Sequence, residues 1–414
     1  MKLLQINTAV NTGSTGRIAE RIGLVLLANG EQSVIAYGRE SQKSASQTIR
    51  IGTRLDYQMH GLKTRLLDKH AFGSKRATQK LIIEIEKLNP DIIHLHNLHG
   101  YYIHIGVLFN YLKQANKPVV WTLHDCWPFT GHCSFFDRVK CEKWKTQCHH
   151  CPLCKRYPES WFFDNSFQNY NLKKELFNGL NNLIIVTPSN WLKNLLIDSF
   201  LKTYPVQVIH NGIDLKKFMP AQKQNEAYRE KIGAANRNII LGIASIWDRR
   251  KGFDDFIKLA TVLNNTEVIV LVGLKEEVIK TLPVNIIGIP RTESMDELVA
   301  LYNMATVFMN PTWVDNFPTT NIEALATGTP VITYRTGGSI EAIDKNTGIV
   351  VEQGDIEGLK TAVEKIKVIG KNQYAIACRQ RAEAHFSETE RFTDYYYLYK
   401  TMLGKQENKM LETQ

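Results

Sequence analysis

Short β-branched runs alternate with stretches of helical periodicity along most of the chain. In the first half, segments 2–7, 32–37, 91–96, 118–123, 183–187 and 206–210 have the apolar character of buried strands. Segments 15–29, 75–88, 103–115 and 189–200 repeat apolar residues every three or four positions, which places them on one helix face. A polar stretch from Gln222 to Asn238 holds few large apolar residues, and the pattern then restarts. Segments 238–245, 267–273, 285–289, 306–310, 330–334 and 349–352 read as strands, with helices over 252–264, 293–303, 319–327 and 355–368. Strands alternating with helices predict parallel sheets covered on both faces. The expected fold class is therefore α/β, two doubly wound Rossmann-like domains facing a cleft. With the linker near 204–236, the first domain spans 1–205, the second 206–385, and a C-terminal helix with a polar tail 386–414. The last helix carries Phe392, Tyr395, Tyr396, Tyr399 and Met402 at helical spacing. Ligands of such sheets bind beyond the carboxyl ends of the strands, so the loops there are expected to carry the chemistry.

The length, 414 residues, exceeds what one hydrophobic core usually serves. Apolar residues at 43% and charged residues at 22% exclude a disordered, collagen-like or wholly coiled-coil chain. The strongest apolar run, Val268 to Leu274, has strand length, well short of the ~20 residues of a membrane-spanning helix. The opening Met1-Lys2-Leu3-Leu4-Gln5-Ile6-Asn7 lacks the apolar core of a signal peptide. A cytoplasmic protein is expected, free or peripheral at the inner membrane face. Lys plus Arg is 51 and Asp plus Glu 41, a net charge of +10 that favours anionic partners. Part of the excess is local, since Lys63, Arg65, Lys69, Lys75, Arg76 and Lys80 face only Asp68 in their stretch. That cluster reads either as a solvated helix face or as a surface toward anionic lipid.

Six of the seven cysteines lie between Cys126 and Cys154. Without a secretory signal, such density suggests a metal sooner than disulfides. Cys148-x2-Cys151 has zinc-knuckle spacing, and Cys133 and Cys141 can complete four thiolates. An iron–sulfur cluster or reduced free thiols are the alternatives. A closed four-thiolate zinc site would be structural, stapling the insertion 126–164, which is expected to lack a core of its own.

Several loops carry candidate chemistry. Thr12-Gly13-Ser14-Thr15-Gly16-Arg17 follows the first strand but is neither a dinucleotide fingerprint nor a P-loop. A glycine-rich strand-to-helix turn of this kind offers backbone N–H groups to an anion or a sugar hydroxyl. In the region 310–330, a strand gives way to a loop containing Asp315; Pro318 and Thr319 start a helix holding Glu323, and Gly328 and Pro330 end it. Gly337-Gly338 opens another turn after the next strand, and Asp248-Arg249-Arg250-Lys251-Gly252 follows the first strand of the second half. His124-Asp125 ends one strand and His94-Leu95-His96-Asn97-Leu98-His99 another. His94 and His96 share a strand face, which suits packing and hydroxyl contacts as well as a metal.

Together these motifs resemble the retaining glycosyltransferases of family 4, which have the GT-B fold, over nearly the whole chain. The resemblance implies that Asp315 and Glu323, eight positions apart, hold a nucleotide sugar. Asp315, a glutamate in most of the family, and the following Asn316, Phe317, Pro318 and Thr319 would face the sugar, and Glu323 the ribose. Lys251 matches the diphosphate lysine; the usual arginine position falls in Ser245-Ile246-Trp247, so Arg249 or Arg250 would supply the second charge. Gly337 and Gly338 would cradle the diphosphate. His124 would lie by the donor sugar, with Asp125 orienting it or touching the acceptor, and Gly13, Thr15, Gly16 and His99 would bind the acceptor. No Asp-x-Asp triplet occurs, and no catalytic metal is expected. Asp315-Asn316-Phe317-Pro318 with the cysteines is most similar to the exopolysaccharide, colanic-acid-type branch. That branch implies Cys133, Cys141, Cys148 and Cys151 as the metal ligands, and a lipid-linked saccharide as acceptor. The donor is expected to carry UDP first, GDP second.

Three rivals remain. A glycosidase needs two carboxylates across one bond, which the loop-to-helix change between Asp315 and Glu323 disfavours. A nucleotide-sugar epimerase would share the fold. A zinc-stabilised nucleic-acid-binding protein fits charge and cysteines, but no basic readout helix is evident, and no nucleic-acid partner is expected. The aromatics of Tyr157-Pro158-Glu159-Ser160-Trp161-Phe162-Phe163 are expected to pack in the core, or else to form an acceptor or membrane platform.

Overall fold

The computed structural model describes residues 1–221 and 226–412, with side chains as far as Gly404 at the C-terminal end. It divides into two compact units, Met1–Ile209 with Arg391–Gln414, and His210–Glu390.

The first unit holds seven parallel strands, β1 (Lys2–Val10), β2 (Gln32–Ser41), β3 (Gln47–Arg50), β4 (Ile92–Leu95), β5 (Val119–Thr122), β6 (Leu183–Thr187) and β7 (Val206–Val208), in the order β3-β2-β1-β4-β5-β6-β7. Its helices are α1 (Gly13–Ala28), α2 (Arg54–Leu67), α3 (Lys75–Leu88), α4 (Ile105–Ala115), α5 (Ser166–Phe177) and α6 (Asn190–Ile197). β4 and β5 are buried at every position, as strands covered on both faces must be, which is why they read as unbroken apolar runs. Ile185 of β6 pairs with Val206, so the first unit runs on to Ile209 rather than ending at 205. The short edge strand β3, whose residues are mostly exposed, and α2 were not expected from the pattern.

The second unit holds β8 (Asn238–Ile243), β9 (Glu267–Val272), β10 (Ile286–Ile289), β11 (Val307–Asn310), β12 (Val331–Tyr334) and β13 (Gly348–Val351), again parallel, in the order β10-β9-β8-β11-β12-β13. Around them lie α7 (Glu226–Lys231), α8 (Phe253–Ala260), α9 (Glu276–Ile279), α10 (Met295–Met304), α11 (Thr319–Ala326), α12 (Ile356–Ile369) and α13 (Lys371–His385). This is the Rossmann strand order 3-2-1-4-5-6, and the first sheet has the same order plus one strand. The final helix α14 (Glu388–Glu412) buries Phe392, Tyr395, Leu398, Tyr399 and Met402 with Leu3, Ile22 and Val186 of the first unit. Its aromatic stripe is therefore core of that unit.

Both sheets reverse their strand order between the first and fourth strands, and a ligand crevice forms at such a switch point. In the first unit the loops after β1 and β4 flank it, and in the second those after β8 and β11.

Candidate functional site

In the second unit, the loop after β8 ends in a 3-10 turn, Arg249–Lys251, capped by Asp248, whose carboxylate accepts the Lys251 N–H at 3.0 Å. Gly252 follows at φ +77°, where a Cβ would sit 2.2 Å from the Pro311 carbonyl oxygen. Only glycine permits this approach of the two loops at the switch point. The Trp313 N–H and Thr312 hydroxyl donate to the Arg250 carbonyl at 2.8 and 3.2 Å, completing the seam. The result is an ion pair between Lys251 Nζ and Asp315, each side chain about one-fifth exposed.

The turn after β12 packs on the same place. The Gly338 N–H donates to the Asp315 carbonyl at 3.2 Å, so that amide is occupied by the protein rather than held open for an anion. Gly337, at φ +48°, comes so close that a Cβ would lie 1.9 Å from the same oxygen. Beneath, Asn321 of α11 donates to Ser339 and accepts from Asn310, and Thr333 meets the Ser339 hydroxyl at 2.7 Å. This buried polar lattice fixes α11 against both loops, and Thr319, its first residue, follows the N-cap Pro318. Glu323 accepts a hydrogen bond from Tyr302 at 2.8 Å. The Phe317 ring stacks on His210 with centroids 4.8 Å apart, and Asn316 is buried. Arg249 is exposed and paired with Asp254, whereas the Arg250 guanidinium forms no ion pair or hydrogen bond among the described residues.

In the first unit, His99 Nε2 meets the Asp125 carboxylate at 2.8 Å and its Nδ1 meets the Tyr157 hydroxyl at 2.9 Å. The Trp127 N–H donates to the other Asp125 oxygen at 2.9 Å. Burial alone would raise the Asp125 carboxyl, but His99 and this N–H hold it below the usual range. Asp125 thus holds His99. His124 Nε2 lies 3.2 Å from His96 Nδ1, and His96 Nε2 lies 3.0 Å from Gln5 Oε1. His94 is held by Thr122 and Tyr399. Ring nitrogens engaged in this way form a packed neutral chain rather than a metal site. Burial pushes His124 down to about 4 and His94 and His96 well below their ordinary value. On the turn after β1, Gly16 is buried, its carbonyl accepting the Asn11 N–H at 3.1 Å, while Gly13 is exposed and Thr15 half-buried. The Thr8 hydroxyl ties β1 to the His99 carbonyl at 2.9 Å.

Cys133, Cys141, Cys148 and Cys151 line one cavity of about 20 Å³, together with His132, Phe136 and Trp144. Against expectation the insertion has a core: Phe136 stacks on Trp144 at 4.9 Å, Phe129 adds an edge contact, and all three are buried. Cys133 and Cys154 donate to Cys151 sulfur, holding that thiol low. Among the described residues, however, the donor atoms gathered within 4.8 Å of one another are those of Asp68, His132 and Cys154. His132 Nδ1 lies 2.6 Å from Asp68, and its buried Nε2 finds no partner.

Residues 19–217 match the family model for Glycosyltransferase Family 4, and residues 224–383 that for Glycosyl transferases group 1. The chain thus carries a family 4 glycosyltransferase domain followed by a group 1 glycosyl transferase domain. Among its relatives is a putative colanic acid biosynthesis glycosyl transferase, WcaC, of Escherichia coli K12, 24% identical over 86% of this chain and 88% of the relative. Another is the N,N'-diacetylbacillosaminyl-diphospho-undecaprenol alpha-1,3-N-acetylgalactosaminyltransferase of Campylobacter jejuni, 28% identical over 44% of this chain and 52% of that one. The sucrose-phosphate synthase of Thermosynechococcus elongatus has the same fold, with a TM-score of 0.73, 18% identity and 98% and 99% of the two chains covered. So does Anabaena Alr3699/HepE, solved with UDP-glucose, with a TM-score of 0.66, 12% identity and 97% and 100% covered. The fold is thus GT-B, and the protein is a glycosyltransferase.

In this glycosyltransferase the sequence motifs assemble into separate groups. Lys251, Asp315, Gly337 and Gly338 come together, as do His99 and Asp125. Tyr302, Gln5, His96 and Tyr157 were missed as supports of Glu323, His124 and His99. His96 carried a signal, its position two residues past His94 at a strand end. Tyr157 belonged to the aromatic segment read as core or as an acceptor platform, whereas Tyr302 carried no signal, since it reaches Glu323 only through the fold.

Proposed function

We propose that the glycosyltransferase moves a sugar, with retention of configuration, from a nucleoside diphosphate sugar to a growing lipid-linked saccharide. The product would be an exopolysaccharide or surface polysaccharide, assembled at the cytoplasmic face of the membrane. The observation that carries this reading is the Lys251–Asp315 pair set against the Gly337-Gly338 turn at the switch point of the second sheet. A departing diphosphate gathers negative charge, and fixed cations placed there lower the barrier. Lys251 takes that role with Arg250, which is favoured over the ion-paired Arg249. Glu323, steadied by Tyr302, binds the ribose; Asp315 and the backbone through Thr319 bind the sugar.

The first unit binds the acceptor, through Gly13, Thr15, Gly16 and the His99–Asp125 pair. His124, kept neutral by burial, suits a hydrogen bond to a sugar hydroxyl better than proton transfer at neutral pH. The acceptor hydroxyl attacks from the face of the leaving group, whose phosphate oxygen takes the proton, so neither a protein base nor a catalytic metal is required. The UDP-glucose bound to Alr3699/HepE supports UDP as carrier, and the diphospho-undecaprenol in the Campylobacter relative's name supports a lipid-linked acceptor. A structural zinc belongs to Cys133, Cys141, Cys148 and Cys151, which share one small cavity; the sulfurs must draw closer to ligate it.

Thermal stabilisation by UDP- and GDP-sugars tests the donor assignment. One donor should raise the melting temperature of the wild type and not of Glu323→Ala. No shift with any nucleotide sugar on the folded wild type would refute it.

A further inference from the structure

α2 is built the wrong way round for a core helix. Its buried residues are His60, Gly61 and Thr64, whereas Leu55, Met59 and Leu62 follow one another at helical spacing and are 65%, 56% and 40% exposed. Residues at these intervals share one face, and the angular spacing of a helix sets that face opposite the buried one. Arg54 and Arg65 flank the apolar stripe on one side and Lys63 on the other. Asp56 is occupied by the capping box with Thr53, and Asp68 is buried under His132, so the acids of this stretch do not offset the cations.

A second apolar element adjoins the stripe. The Trp161 N–H donates to the Arg65 carbonyl at 2.7 Å, the Arg65 guanidinium lies over the Trp161 ring, and Asn165 donates to the Leu67 carbonyl. Held there, Trp161, Phe162 and Phe163 are 42%, 73% and 56% exposed, contrary to the expectation of core packing. On this loop Lys155 and Arg156 are balanced by Glu159 and by Asp164, which accepts the Cys151 and Ser166 N–H groups, so the cationic rim is that of α2. Three consecutive aromatics beside an apolar helix face, rimmed by arginine and lysine, match the amphipathic surface that lies in a bilayer interface.

We propose that the exposed face of α2 and the Trp161–Phe163 loop form the surface by which the first unit docks on an anionic bilayer. The charge selects acidic lipid over a protein partner. The inference rests on the reading of the acceptor as lipid-linked, and the structure connects the two. Tyr57 of α2 touches Tyr101, Tyr101 touches Tyr157, and the Tyr157 hydroxyl meets His99. A lipid-borne saccharide entering at this surface is already beside the acceptor residues.

Co-sedimentation of the full chain with phosphatidylcholine vesicles, with and without phosphatidylglycerol, tests the surface. Binding is expected on the phosphatidylglycerol vesicles and should fall with added salt. Phe162→Ala/Phe163→Ala and Arg54→Glu/Lys69→Glu should each weaken it by about tenfold or more. Their melting temperatures and their stabilisation by the nucleotide sugar should match the wild type. Absence of wild-type binding, or equal binding by the variants, overturns the proposal. So does a wild-type dimer in sedimentation that the same substitutions dissociate, because a second copy then covers the face. Measuring nucleotide-sugar stabilisation in parallel separates this failure from failure of the donor assignment.

Discussion

Gly337→Ala is the sharpest test of the proposed donor site, because its cost follows from geometry. The added Cβ would lie 1.9 Å from the Asp315 carbonyl oxygen, when real Cβ contacts stay beyond 3.0 Å. One of the two loops must therefore retreat by more than an ångström. Alanine at φ +48° also pays a left-handed penalty of about 1–2 kcal/mol, and overpacking adds about 1–3 kcal/mol. A total near 3 kcal/mol lowers the melting temperature by roughly 6–12 °C for a unit of this size. The displacement falls on the backbone of Asp315, whose side chain pairs with Lys251, and an ångström of misplacement in a reacting site can cost about 10²-fold in turnover. Gly233→Ala is the control, since Gly233 has φ +77° but nothing within 4 Å of a Cβ; it should lose only about 1–2 kcal/mol and no activity. Differential scanning calorimetry and donor turnover measure both. Gly337→Ala with the melting temperature and turnover of Gly233→Ala would show that the two loops do not meet as described.

Burial pushes His60 down to about 3, His124 to about 4, and His70, His94 and His96 well below their ordinary value. Below about pH 6.5 the unfolded chain binds protons that these folded histidines refuse, so their contribution is complete above that pH and is lost as pH falls toward 4, by up to about 1.4 kcal/mol per unit per histidine. His132 runs the other way, since Asp68 outweighs burial and raises it; even so, the urea midpoint should be clearly lower at pH 5 than at pH 7, and an equal or higher one would contradict the burial of the histidine chain. Metal analysis should find about one zinc per chain, lost with several degrees of melting temperature in Cys148→Ser/Cys151→Ser; a metal-free wild type of full stability would remove zinc from the fold. Tyr157→Phe removes the hydroxyl on His99 and should raise the acceptor KM about fivefold, the worth of roughly 1 kcal/mol, with donor affinity unchanged, and a donor defect instead would move His99 out of the acceptor site.

The sequence carried the sheets almost strand for strand, because parallel strands buried on both faces must be written as apolar runs, as Val268 to Leu274 illustrates. It also located Lys251, Asp315 and Gly337, since each follows a strand at its carboxyl end. What it lacked was the pairing within those loops. Asp125 and His124 are adjacent in the chain, yet they serve different partners, His99 and His96, and no spacing rule separates them. The Gly338 amide looked open to an anion but is taken by Asp315, a contact between residues 23 positions apart.

The failures at α2 and the Trp161–Phe163 loop have a different cause. A Thr53-x-x-Asp56 capping box announces a helix start, but the burial that normally confirms a helix lies on its polar face. Hydrophobic periodicity reports that a stripe exists and says nothing about what covers it. For most of this chain the cover is the chain itself, so apolar positions and core positions coincide. On α2 and at Trp161–Phe163 they part, and both departures fall on one surface, beside the tyrosines that lead to His99. Two independent violations of the same rule in one place are more economically explained by a single missing medium than by two local accidents of packing.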